Sequence, residues 1–255
     1  MQIAVRGSGT ALVMIHGWAM DSGIFAPLAE RLEKMFTLYL VDLPGHGYSG
    51  ESAIALELDA VARHIATRTP RAIWLGWSLG GLLALHAAQQ WPAAVRGLVM
   101  VCASPRFVRG SDWPLGMDET VLSEFADALH HDCRGTLDRF LMLQAQGSGN
   151  AREQLRRMRN RLFAHGEPNP EKLRDGLSLL QKSDLRAGLG ALLAPSLWLA
   201  GRRDHLIDAQ AIHSAAQSTP HSQFKLFENG GHAPFETHTD EVASAIENFA
   251  RSLAL

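Results

Sequence analysis

The chain has 255 residues, 46% of them hydrophobic and 20% charged, with a formal net charge of −2. Such a length and balance suit one large soluble α/β domain, and the overall charge gives no electrostatic case for nucleic acid. The apolar stretches are short of the roughly 20 residues that span a bilayer.

The N-terminus, "MQIAVRGSGT", lacks the basic-then-apolar order of a secretion signal. Two cysteines, Cys102 and Cys133, do not make a disulfide framework. The expectation is a reduced, cytoplasmic, monomeric protein with no membrane partner. Neither internal repeats nor low-complexity segments are present.

In chain order, residues 2–5 read as an edge strand turned back through "GSG" at 7–9. Apolar runs rich in β-formers follow at 11–16, 36–42, 71–77, 97–103, 195–201 and 222–228. Helical patterns fall at 22–34, 54–68, 79–90, 208–218 and 238–253. This alternation predicts a mostly parallel sheet covered by helices.

The rhythm breaks between Pro105 and Pro195, where four helices are expected at 118–131, 134–146, 150–164 and 170–182. Gly147 to Gly149 and "GEPNP" at 166–170 supply the breaks between them. An all-helical insertion there would sit beyond the strand ends, where open α/β sheets bind ligands. We read 1–105 and 195–255 as the core and 106–194 as a helical lid.

"GWSLG" at 76–80 places Ser78 between two glycines where a strand passes into a helix. A nucleophile at the tip of such a turn takes strained backbone angles, and side chains two positions either way would collide. The same residues also suit a serine N-cap ahead of a glycine-containing helix. Its partners decide between the two.

A serine hydroxyl needs a base, and the base needs a third group to hold its tautomer. The order demanded is serine, acid, histidine, each after a later strand. Asp204 follows a strand-ending glycine in "LWLAGRRDHLID", and His232 lies in the glycine-rich "FENGGHAPF". Asp208 is a rival acid but reads as a helix N-cap. His205, His221 and His238 are rival bases without that loop context.

The oxyanion of such a reaction needs two N–H donors. The backbone of Leu79 supplies one and that of Trp18, in "IHGWAM", the other; Gly17 lets the chain turn there. The Trp18 ring would also wall the pocket.

These motifs resemble the α/β-hydrolase family over essentially the whole chain: "HGW", "DLPGHGYS" (42–49), "GWSLGG" and "GGHAPF" stand in order. The resemblance implies that Asp42 and the "GHG" turn are structural. A serine at 78 argues against members with an aspartate nucleophile.

Within that family the sequence is similar to the pimeloyl-[acyl-carrier protein] methyl ester esterases of biotin synthesis. The similarity rests on "AIWLGWSLGGL", "FTLYLVDLPGHGYS", "RFLMLQ" (139–144) and "GLSLLQKSDLR" (176–186). It implies a cofactor-free, metal-free serine esterase releasing methanol. It further implies an acyl channel lined by Trp18, Leu79, Phe140, Leu141, Met142, Leu143, Gln144 and His232. Arg139, Arg152 and Arg156, with Arg134 displaced by one position, would meet the carrier protein. Arg202 and Arg203 beside the acid, and "GSGNAREQ", depart from the pattern.

Charge adds an independent reason to expect a protein-borne substrate. Seven arginines, no lysine and two acids lie between Arg134 and Arg161, a local +5 in a chain of −2. On a helix Arg152, Arg156 and Arg159 share a face, and an acidic carrier would be steered to it. A merely solvated face would look the same. "HHDC" at 130–133 gathers four metal-ligand types, but consecutive residues point apart. The competing readings are a short-chain carboxylesterase or C–C bond hydrolase acting on free small molecules, and a non-catalytic receptor on a hydrolase fold.

Overall fold

The computed structural model describes residues 1–147, 149–164 and 168–253. Seven strands form one sheet: β1 (Ile3–Gly7), β2 (Thr10–Ile15), β3 (Phe36–Val41), β4 (Ala72–Trp77), β5 (Val95–Val101), β6 (Ser196–Gly201) and β7 (Ser222–Phe227). Their spatial order is β1-β3-β2-β4-β5-β6-β7, parallel throughout except for β1 against β3. Every residue of β4 and β6 is buried, as expected of inner parallel strands covered on both faces. The chain does turn back after β1, but β3 comes between the two ends of that turn. Register places Ile15 beside Gly76, and Gly76 and Trp77 beside Met100 and Val101.

Helices α1 (Ala26–Leu32), α2 (Leu58–Ala66) and α3 (Leu79–Gln90) follow β2, β3 and β4. The expected helix over 22–34 is split. Residues Ser22–Phe25 form a 3-10 turn capped by Asp21, and Pro27 then starts the α-helix, where its missing N–H costs nothing. The helix expected over 54–68 occupies only Leu58–Ala66. From Leu79 to Leu85 every residue of α3 is buried, so this helix is apolar all round and sits in the core.

Between β5 and β6 lie α4 (Glu119–His131), α5 (Cys133–Ala145), α6 (Ala151–Leu162) and α7 (Pro170–Lys182). α5 packs on α6, and α4 on α5 and α7. Asp132 caps α5 through the Gly135 N–H at 2.8 Å, which explains why "HHDC" is a helix junction. The predicted breaks at 147–149 and 166–170 fall partly outside the described residues. α8 (Ala209–Gln217), α9 (Pro234–Thr237) and α10 (Thr239–Ser252) complete the chain. Among the described residues no helix is long and apolar enough to cross a membrane.

Candidate active site

The carboxyl ends of β4, β6 and β7 carry the three predicted residues. Ser78 has φ 54° and ψ −119°, a left-handed conformation costly for any residue with a β-carbon. The turn is built around it. A β-carbon on Gly76 would strike the Gly80 carbonyl, and one on Gly80 would strike that of Ile15. The Ser78 N–H donates to Val101 at 3.1 Å, fixing the elbow to the neighbouring strand.

Asp204 lies three residues beyond β6. Its Oδ1 accepts the N–H groups of Leu206 and Ile207 at 2.8 and 3.1 Å, and its Oδ2 lies 2.8 Å from His232 Nδ1. A carboxylate only accepts, so Nδ1 carries the proton and Nε2 keeps a free lone pair. That Nε2 is buried and has no hydrogen-bond partner among the described residues. The side chains of His232 and Asp204 are 1% and 0% exposed. Trp77 donates its indole N–H to the His232 carbonyl at 2.8 Å, anchoring the histidine's loop to the strand of the serine.

The rivals lie elsewhere or do other work. Asp208 accepts the Gln210 N–H at 2.8 Å and caps α8. The His221 carbonyl accepts from Ser196 at the amino end of β6, the opposite end of the sheet. His238 bonds Thr237 and packs on Phe227. His205 shares a polar cleft with Asp204 but does not replace His232 on its carboxylate.

The Gly17–Trp18 loop reaches Ser78: a β-carbon on Gly17 would lie 3.1 Å from that of Ser78. Two histidines hold this loop from behind. His16 donates from Nδ1 to the Gly17 carbonyl at 2.8 Å and accepts the Leu43 N–H on Nε2 at 3.0 Å. His46 donates to the Pro44 carbonyl at 3.0 Å and accepts the Ala19 N–H at 3.3 Å. Both rings are thereby neutral. Burial lowers His16, and burial, then His16 beside it, lowers His46 to about 3. Asp42 accepts N–H groups from Ser22 and Tyr48, which gives the "DLPGHG" segment its structural part.

The sign of the pH effect follows. The unfolded chain takes up protons near 6.5 that the folded histidines refuse, so stability present above that value is lost as pH falls toward about 3. Urea unfolding should weaken by up to about 1.4 kcal/mol per pH unit for each histidine below that point. A midpoint unchanged from neutral pH to about pH 5 would contradict their neutrality.

Of the expected channel residues, Trp18 and Leu79 are fully buried beside the serine. Phe140 meets Trp18 edge-on at 4.6 Å, and Leu141 and Gln144 are buried, both Gln144 amide atoms having no hydrogen-bond partner among the described residues. Met142 and Leu143 sit on another side of the same helix turn: Met142 is 50% exposed, and both line a groove of about 490 Å³ with Val121, Glu124, Phe125 and Arg139.

Sequence reasoning placed α7 as a helix but missed its contact with the site. The Trp18 indole N–H donates to the Leu173 carbonyl at 2.7 Å, and Gly176 lets that ring lie against the helix. A glycine inside a helical pattern was the available signal.

The basic face is real but partly spent. Arg159 pairs with Asp138 at 2.7 Å, Arg157 with Glu153 at 2.9 Å and Arg161 with Asp21 at 3.6 Å. Arg134 lies over the Phe163 ring. Among the described residues no carboxylate is within ion-pair distance of Arg139, Arg152 or Arg156, all exposed. Arg202 is paired with Glu228, which accounts for one of the two unexpected charges beside the acid.

The α/β-hydrolase fold family model matches residues 10–239. The chain belongs to this family. As an α/β hydrolase it is 53% identical over 253 residues to a pimeloyl-[acyl-carrier protein] methyl ester esterase of Xanthomonas oryzae pv. oryzae, covering 99% of this chain and 100% of the relative. A Stenotrophomonas maltophilia protein of the same name is 51% identical, over 100% and 98%. Among solved structures, an esterase from Exiguobacterium antarcticum superposes with a TM-score of 0.89 at 21% identity, covering 98% of this hydrolase and 94% of that chain.

Proposed function

We propose that this α/β hydrolase is a serine carboxylesterase that cleaves the methyl ester of pimeloyl-[acyl-carrier protein], releasing methanol. The observation that carries the chemistry is the buried Asp204–His232 pair, with Nε2 unengaged, on the same sheet edge as the strained Ser78. Full-length relatives of that name support the substrate.

Ser78 Oγ attacks the ester carbonyl carbon while His232 Nε2 takes its proton. The resulting oxyanion is held by the N–H groups of Leu79, the first residue of α3, and of Trp18. His232 returns the proton to the departing methanol. Water then attacks the acyl-Ser78 ester by the same route and frees the pimeloyl carrier protein. The segment 106–194 acts as the lid of this site. Trp18, Leu79, the Phe140–Gln144 segment with Leu141, Met142 and Leu143, and His232 line the acyl channel beneath it. No step calls for a cofactor or a metal ion.

The acidic carrier docks on Arg139, Arg152 and Arg156, with Arg134 beside them. Changing Arg152 and Arg156 together to Glu should lower kcat/KM for the carrier-bound methyl ester about 10- to 100-fold, and most at low ionic strength. Free dimethyl pimelate should be cleaved at an unchanged rate. Equal losses on both substrates would mean a misfolded lid. Equal wild-type rates on both at low salt would leave a general carboxylesterase acting on free esters.

A further inference from the structure

β5 runs between the strand that leads to Ser78 and the strand that leads to Asp204, and its carboxyl end is unusual. Val101 accepts the Ser78 N–H, while the next residue, Cys102, donates its own N–H to Leu199 of β6 at 2.8 Å. Directly after this peptide, hydrogen-bonded on both sides, the backbone enters the left-handed region, with φ 43° at Cys102. Glycine would adopt that conformation without strain; a residue with a β-carbon is held there at a cost.

The side chain so aimed is fully buried. Its sulfur lies 3.6 Å from the carbonyl oxygen of Gly231, the residue before His232, within reach of the weak S–H donor. The same sulfur, an Asp204 carboxylate oxygen and a His232 ring nitrogen all lie within 4.8 Å of one another. This end of β5 therefore touches the loops of all three reacting groups. Burial, and then the Asp204 charge, push the thiol well up, so it is a protonated donor and not a competing anion. The trio is poorly suited to a metal ion, since Asp204 and His232 already bond each other.

We propose that Cys102 is a positioning residue of the esterase, its thiol tying down the Gly231 carbonyl and closing the inner side of the Asp204–His232 pair. It touches no substrate and exchanges no proton with one. Its effect is to keep the imidazole where Ser78 can use it. The inference rests on the esterase reading above.

Cys102→Ala keeps the β-carbon, and with it the backbone strain, and removes only the sulfur. In the full-length enzyme, kcat on a free methyl ester should fall about three- to tenfold with KM within about twofold of wild type. Cys102→Ser restores a donor and should recover most of that loss. Proton NMR gives a readout independent of turnover. The downfield signal of His232 Nδ1–H, identified by its loss in Asp204→Asn, should shift or broaden in the alanine variant.

A wild-type kcat, a loss confined to KM, or an unmoved resonance in Cys102→Ala would overturn the proposal. So would a folded serine variant as slow as alanine. Failure of the esterase reading itself looks different: Ser78→Ala would then retain turnover.

Discussion

Ser78→Ala should lower turnover of the methyl ester by about 10⁵- to 10⁶-fold while leaving the carrier-bound substrate able to bind. The substitution removes one oxygen from a site that is otherwise unchanged. Alanine keeps the β-carbon and so keeps the left-handed geometry at φ 54°, and the N–H bond to Val101 does not involve the side chain. Thermal stability should accordingly move little. Steady-state assay and direct binding of the methyl pimeloyl carrier together check both halves of this expectation. Turnover that survives would place the nucleophile elsewhere, and lost binding would mean that the pocket itself had collapsed.

Asp204→Asn should cost about 10³- to 10⁴-fold in kcat, through the wrong histidine tautomer rather than through lost structure. The direction is dictated by the two backbone bonds. Leu206 and Ile207 both donate to Oδ1, so an asparagine must keep its carbonyl oxygen there. Its NH₂ group then occupies the Oδ2 position and points at His232 Nδ1. Facing a donor, Nδ1 must accept, which moves the ring proton to Nε2 and disarms the base. Asp208→Asn is the control. It weakens a helix cap by about 1 kcal/mol or less and should leave kcat intact. A larger kinetic loss at 208 than at 204 would reassign the acid.

The strands and the order of the three site residues were legible because local rules govern them. Inner parallel strands are continuous apolar runs, and "AIWLGW" can hardly be anything else once a glycine-framed serine follows it. Asp204 and His232 were found by position after a strand, a constraint the connectivity imposes. Contacts between distant segments were not legible. Nothing near residue 18 announces Leu173, 155 positions away, as the partner of its indole. Nor does the identity of Cys102 announce the turn that aims its sulfur at Gly231. Arg159 shares the predicted basic face, yet tertiary packing brings it to Asp138.

Trp18 is fastened at both ends. Its main chain belongs to the floor of the site beside Ser78, while its indole is bolted to the roof at Leu173. At this point roof and floor form one mechanical part. Prising α7 upward would break the bolt and slacken the loop that must grip the oxyanion, so this esterase cannot gape and remain armed. Through that bond α7 serves as a fixed jamb of the site. Loosening α7 would then slow every ester, short or long, instead of admitting larger ones.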